Sequence, residues 1–323
     1  SALLRSLVGS EMCIRDRLMT IGKRRGLVKK NIFEIGSVLE DIRIQSIGGI
    51  LCGLTIWDMA IIPFLLNNSE VWTDLDKNCI EEIEKLQTIF LSVLWAVPSS
   101  CPRPALSWDT ASLSMANRII KRKLNFIVHL KRLGEETLAK QVYNEQLKHG
   151  WPGLGSEAQE LCKELKMPDI TRDRPGKEKK LKWKNKINEA VEEKNEKDLK
   201  KAMDRYEKLG DIKEEDYGVK NFIKEIDMTG ARTLFRIRTK MIKCKMNQSS
   251  DNLNRASLWK CEDCGYVDTQ SHIIHCPAYQ SLREGKSLNS DTDIVEYFSE
   301  VLKLREGDSK SINKYCCGNY TKW

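Results

Sequence analysis

The sequence predicts a mostly α-helical protein that ends in a small zinc-binding module. Three observations support this fold class. Apolar residues recur at helical spacing through several segments, a long stretch is dominated by lysine and glutamate, and four Cys and His residues cluster near the C-terminus. We therefore expect a helical bundle, then a charged helical connector, then the zinc module.

The N-terminal region begins with an unusual string of residues. Residues 1–17 resemble a translated sequencing-adapter artefact, so we exclude them from fold reasoning and expect the true chain to begin near Leu18 and to lack upstream sequence. Gly48 and Gly49 should end a first helix, whose apolar face holds Ile32, Ile35, Leu39 and Ile42.

The segment from Gly48 to Leu66 is almost entirely apolar and approaches the length of a bilayer crossing. Its one charge, Asp58, would cost about 2.5–3.5 kcal/mol at the centre of a membrane, and Pro63 interrupts the run. We therefore expect a fully buried helix pair and no membrane partner.

Two further helices follow. The first carries one apolar stripe and should end at a rigid loop containing Pro98, Pro102 and Pro104. The second should start near 109–112, and Trp151–Gly155 should form a boundary after it. The second helix has a cationic face opposite its apolar one, with candidate nucleic-acid contacts at Arg118, Lys121 and Arg122.

Residues 171–226 are rich in lysine and glutamate, with sparse apolar positions such as Trp183, Ile187 and Val191. This pattern indicates a thin, weakly packed amphipathic helix with a solvated charged face. A protein partner could dock on residues 177–208. A last amphipathic helix is expected over Asp291 to Leu304.

The segment Thr229 to Met246 has a regular row of cations. Spacings of four and three place them on one helix face, where they could follow a phosphate backbone. An ordinary basic surface helix is an equally good interpretation. The cations are Arg232, Arg236, Lys240 and Lys243.

The cluster Cys261, Cys264, His272 and Cys276 has the spacing Cys-x2-Cys-x7-His-x3-Cys. Three thiolates and one imidazole suit tetrahedral Zn²⁺, and because the protein fills every position the site would be structural. Gly265 should relax the turn after the first pair, and the second pair should lie on a short helix. His275 is a rival ligand to His272.

Composition and absent motifs bound the function. The net charge of +8 suits an acidic partner such as nucleic acid. The 11 scattered cysteines indicate a reducing, intracellular compartment. The sequence has no Gly-rich phosphate loop, no Gly-x-Ser-x-Gly elbow and no adjacent pair of aspartates.

Several of these stretches resemble the C-terminal part of a non-LTR (LINE-type) retrotransposon reverse transcriptase. The segments 61–72, 83–106 and 118–126 look like that family's thumb and occur in its order. His272-Ile-Ile-x-Cys276-Pro-x-Tyr279 looks like its zinc-binding tail, although relatives often have His-x4-Cys where this chain has His-x3-Cys.

The resemblance implies a fragment of an RNA-directed DNA polymerase that binds RNA or an RNA–DNA template–primer within a nuclear or cytoplasmic ribonucleoprotein. The catalytic aspartates and their Mg²⁺ would lie in a palm upstream, so we expect no polymerisation by this chain alone. It also implies a domain order: 18–72 as a remnant of the palm-to-thumb connection, 73–150 as a thumb-like bundle, 151–228 as the connector, and 229–323 as the basic helix and zinc module.

Two alternatives stay open at this point. The chain could be a zinc-stabilised protein-interaction module, or a relic of a transposable element without a selected function.

Overall fold

The computed structural model describes residues 25–32, 34–38, 46–72, 77–98, 101–172, 179–242, 244, 260–284 and 288–306. These residues are mostly α-helical, as the sequence predicts, and they include no β-strand. Within them, only two isolated bridges pair extended residues, Ile47 with Asp227 and Lys260 with Val267.

The helices are numbered along the chain from Gly49, after helical residues at 25–32 and 34–38. A π-helical turn, Trp57–Ile61, separates the first two. They are α1 (Gly49–Ile56), α2 (Ile62–Leu65), α3 (Lys77–Trp95), α4 (Arg103–Trp108), α5 (Met115–Leu130), α6 (Leu138–His149), α7 (Leu154–Glu164), α8 (Lys179–Met203), α9 (Gly210–Glu214), α10 (Asn221–Glu225), α11 (Met228–Arg238), α12 (Gln270–His275), α13 (Gln280–Arg283) and α14 (Asp291–Glu306).

The chain folds into two compact units, each built from separated stretches. Trp57–Thr88 and Ser112–Lys201 belong to the first unit, whereas Ile89–Ala111 and the described residues after Ala202 belong to the second, with α1. This division follows packing, and the linear domain order expected from the sequence stays a prediction.

The first unit is organised around α5. Ser114 caps this helix, since its hydroxyl accepts a hydrogen bond from the Asn117 amide at 3.1 Å. The apolar side of α5 packs against α7 and α8, where Trp183, Ile187 and Val191 are buried. The predicted amphipathic charged helix is therefore present as α8, but the expectation that it would be weakly packed was wrong. A partner that docked through Trp183 would first have to pull it out of this core.

The second unit is organised around α11, which packs against α14 and α1. The rings of Trp95 and Phe235 stack with centroids 4.1 Å apart, and both side chains are fully buried. A second apolar cluster surrounds the Cys and His residues of the predicted zinc module, and it includes Tyr297, Phe298 and Val301 of α14.

The apolar segment from Gly48 to Leu66 differs from its prediction. Met59 is 75% exposed and Phe64 is 41% exposed, so one side of the segment is open and the helices are not fully buried. Asp58 forms an ion pair with Arg118 at 2.9 Å. In the part of the chain that the structure describes, no helix is both long and apolar enough to cross a bilayer.

The proline-rich stretch also differs from its prediction. Pro104 lies in the first turn of α4, where its missing N–H has no helical partner to lose. The end of the stretch therefore starts a helix. The following helix begins at Met115, slightly later than expected, whereas α14 closely matches the predicted segment.

Candidate metal centre

Four potential metal ligands converge in the second unit. The ligand atoms of Cys261, Cys264, His272 and Cys276 all lie within 4.8 Å of one another. The Sγ atoms of Cys264 and Cys276 are 3.6 Å apart, and Cys264 Sγ lies 3.1 Å from Nε2 of His272. A tetrahedron with Zn–S bonds of about 2.3 Å has S–S edges of about 3.8 Å, so these residues fit a four-coordinate metal ion.

The first ligand pair is held by a tight turn. The amide of Gly265 donates to the Cys261 carbonyl at 2.9 Å, and the amide of Cys261 donates to the Tyr266 carbonyl at 2.7 Å. Gly265 has φ +79°, a left-handed conformation that glycine adopts without steric cost. Both thiols of the pair therefore project from one side of the loop.

The second pair flanks the short helix α12. Thr269 caps this helix by accepting the amide of His272 at 2.9 Å. Cys276 follows the last helical residue in an extended conformation, and Pro277 prevents the helix from continuing. The His-x3-Cys spacing thus presents one ligand from inside the helix and one from just beyond it. The rival His275 is exposed and outside the cluster.

Burial and hydrogen bonding affect the thiols differently. Burial raises the pKa of Cys276 to about 11. For Cys264, burial also opposes ionisation, but hydrogen bonds from the Tyr266 amide and the neighbouring thiols lower its pKa below the usual value. The three thiols lie next to one another. A metal ion would replace their protons and pair with the thiolates.

The cations predicted on α5 lie among acidic partners. Arg118 pairs with Asp58 and also donates to the Leu113 carbonyl at 3.2 Å. Arg122 pairs with Glu70 at 3.2 Å. Lys121 is partly exposed, and burial lowers its pKa. These cations share one helix and remain partly accessible.

The cations predicted near residue 240 do not form one exposed row. Arg232 is 7% exposed and donates to the Leu94 carbonyl at 2.9 Å, whereas Arg236 donates to the Ala96 carbonyl at 3.0 Å. Helix α11 ends at Arg238, and Lys240 follows it with φ +55°. The expectation of one continuous helix face was therefore wrong. Lys243 lies outside the described residues, and contact of these cations with nucleic acid stays a prediction.

Two arginine networks were not predicted from the sequence. Arg238 binds both Asp109 and Glu215 through paired hydrogen bonds. Arg305 binds Asp268 and approaches Cys261. The partners are far apart in the sequence, so no local spacing could have revealed them.

Comparisons with protein-family models, curated proteins and solved structures found no match for this chain.

Proposed function

We propose that this chain is a zinc-stabilised nucleic-acid-binding fragment of a LINE-type reverse transcriptase, which holds RNA or an RNA–DNA template–primer without a catalytic centre of its own. The observation that carries the proposal is the convergence of Cys261, Cys264, His272 and Cys276. These ligands and the residues around them are those in which the sequence resembles that family's zinc-binding tail, apart from the His-x3-Cys spacing, where relatives often have His-x4-Cys.

Zinc is the metal that this donor set favours. Three thiolates and one imidazole are soft ligands, and they suit Zn²⁺ far better than Mg²⁺ or Ca²⁺, which prefer oxygen. Four protein ligands leave no coordination position for a substrate. The metal would therefore stabilise the fold of this module, and bound Zn²⁺ would supply structural cross-linking rather than chemistry.

The nucleic-acid part of the proposal is supported by the net charge of +8 and by the cations of α5. Asp58 is 53% exposed where it pairs with Arg118. Surface ion pairs of this kind contribute at most about 1 kcal/mol, so a phosphate group could replace the carboxylate at little cost. Lys121 and Arg122 lie on the same helix, within reach of one backbone.

The metal is tested first. The purified full chain should contain one equivalent of zinc, and Cys276→Ser should remove it. Cys52→Ser is the matched control, because Cys52 is an exposed thiol outside the cluster. A chain that binds no zinc after refolding in its presence would contradict the proposal.

Nucleic-acid binding is tested by fluorescence anisotropy with a labelled RNA–DNA duplex at several salt concentrations. Affinity should fall as the salt concentration rises, and Lys121→Gln/Arg122→Gln should reduce the slope of log K against log salt by about 2, because each lost phosphate contact removes about 0.9. Lys197→Gln removes a cation that is 64% exposed and pairs with Glu193, and it should leave the slope nearly unchanged. Binding that is absent, or indifferent to salt, would refute this part.

A further inference from the structure

Arg305 connects the last turn of α14 to the candidate metal centre. Its side chain is 13% exposed. The guanidinium Nη2 lies 3.7 Å from Sγ of Cys261, and Nε donates to the Tyr279 hydroxyl at 2.9 Å. Both terminal nitrogens also face the carboxylate of Asp268, at 3.1 Å and 2.9 Å. One side chain thus contacts the candidate ligand Cys261, the segment just before α12 and the segment just after it.

The charges explain why an arginine suits this position. Three thiolates outweigh the two positive charges of Zn²⁺, so the loaded cluster is anionic. An N–H group directed at a thiolate sulfur stabilises that anion. Asp268 is 2% exposed, and its carboxylate fixes the guanidinium through two contacts. Residues that orient metal ligands in this way raise metal affinity.

Helix α14 also covers the centre with apolar side chains. Tyr297 is fully buried, and its hydroxyl donates to the Ile273 carbonyl at 2.7 Å, between the ligands His272 and Cys276. Phe298 and Val301 belong to the same buried cluster as Cys261 and Cys276. The helix and the ligand loops therefore share one small core, so ordering either favours the other.

We propose that Arg305 is a positioning residue of the metal centre, which orients Cys261 and couples zinc binding to the docking of α14. This inference rests on the zinc site in the proposed function, but it does not depend on nucleic-acid binding. By thermodynamic reciprocity, zinc should strengthen the docking of α14 by the same factor by which docked α14 strengthens zinc binding.

The affinity test uses the full chain and competition with a zinc chelator. Arg305→Gln should weaken zinc binding about 10- to 100-fold, the usual effect of losing such a supporting residue. Arg305→Lys keeps the charge but loses the forked geometry, so it should fall between wild type and Arg305→Gln. Lys303→Gln is the matched control, because it removes an exposed cation from the same helical turn, and its affinity should equal that of wild type.

Two further measurements separate positioning from general destabilisation. With Co²⁺ in place of zinc, loss of the N–H group near sulfur should move the thiolate-to-cobalt charge-transfer band of both Arg305 variants to longer wavelength. Hydrogen exchange in α14 should slow when zinc is added to wild type, and slow much less in Arg305→Gln.

The outcomes also separate this inference from the proposed function. The positioning role would be overturned, and the zinc site left intact, if both Arg305→Gln and Arg305→Lys matched the control Lys303→Gln in zinc affinity and in cobalt spectrum. A wild-type chain that takes up no metal would overturn both. If Arg305→Gln does not fold, Arg305→Lys becomes the test of the positioning role. An unshifted cobalt spectrum together with wild-type zinc affinity in Arg305→Lys would refute that role.

Discussion

Replacing Arg238 with methionine should destabilise the second unit by about 3–5 kcal/mol, because it leaves a buried carboxylate without its cation. The Asp109 side chain is 1% exposed, and both of its oxygens accept hydrogen bonds from Arg238 at 3.1 Å. The other edge of the guanidinium binds Glu215 at 2.9 Å and 2.8 Å. The arginine therefore ties the end of α4 to the end of α11 and to the segment after α9.

The expected magnitude depends on pH in a definite direction. Burial raises the pKa of Asp109, and Arg238 opposes that rise. Without Arg238 the pKa rises further, so the carboxylate can take up a proton at low pH and avoid the cost of a buried charge. The loss caused by Arg238→Met should therefore be smaller at pH 5 than at pH 8. The double variant Arg238→Met/Asp109→Asn should recover part of the stability at pH 8.

Urea unfolding of the zinc-loaded chain measures the total loss, and hydrogen exchange of peptides from α4 and α11 reports the second unit separately. A loss of this size should also lower the melting temperature by roughly 6–20 °C. Lys240→Met is the control, since Lys240 is 46% exposed and its partner Asp211 is 3.8 Å away; its effect should stay within about 0.5 kcal/mol. An Arg238→Met variant that loses less than about 1 kcal/mol would show that the buried carboxylate tolerates isolation and that our reasoning is wrong.

Two more predictions concern polar contacts in each unit. In the first unit, the side-chain oxygen of Asn195 accepts hydrogen bonds from the Ser114 amide and from the Asn117 side chain, each at 3.0 Å. Asn195→Ala should therefore lower the free energy of unfolding, measured in urea, by roughly 1–3 kcal/mol. Lys197→Ala changes an exposed side chain and should leave that free energy almost unchanged. In the second unit, burial opposes ionisation of Glu215, but hydrogen bonds from Arg238 and Lys220 lower its pKa in the folded state. Its stabilising effect is therefore complete above the unfolded pKa and is lost as the pH falls. The stability advantage of wild type over Glu215→Gln should shrink as the pH falls below about 4.5, the usual pKa of a glutamate. An advantage that grew on acidification would contradict this sign.

The convergence of the four candidate metal ligands could be predicted because its determinants are local in the sequence. The turn depends on Cys261, Cys264 and Gly265, and the end of α12 depends on Pro277. The choice between His272 and His275 needed the structure. His272 lies close to the thiols, whereas His275 is exposed and outside the cluster.

The start of α5 shows why helix boundaries were less predictable. Several hydroxyl residues precede the helix, and each could cap it. The one that does so is Ser114, whose amide is also bound by Asn195 of α8. A side chain 81 positions away thus contributes to the choice of cap, and no window of local sequence contains that information.

The basic segment shows the limit of periodicity most clearly. Spacing identifies which side chains share a face of a helix, but it does not reveal what that face meets. The carbonyls of Leu94 and Ala96 lie at the end of α3, where no further helical N–H is available to them. Arg232 and Arg236 satisfy these carbonyls from sequence positions 138 and 140 residues away. A pattern typical of phosphate binding therefore serves, in this fold, to cap a helix.

This internal use of arginine sets a quantitative expectation for the proposed nucleic-acid binding. Arg232, Arg236, Arg238 and Arg305 all have partners inside the second unit, so these four of the 54 Lys and Arg residues cannot meet a phosphate backbone without leaving those partners. If α5 provides most of the contacts, the salt slope should correspond to only about 2 or 3 phosphates. A much larger slope would mean that other cations also meet phosphates, such as the exposed Lys182 and Lys184 of α8. Recruiting the four arginines instead would leave their carbonyls and carboxylates unpaired, at a cost of about 1–3 kcal/mol each. The salt slope thus measures how many cations beyond α5 meet the phosphate backbone.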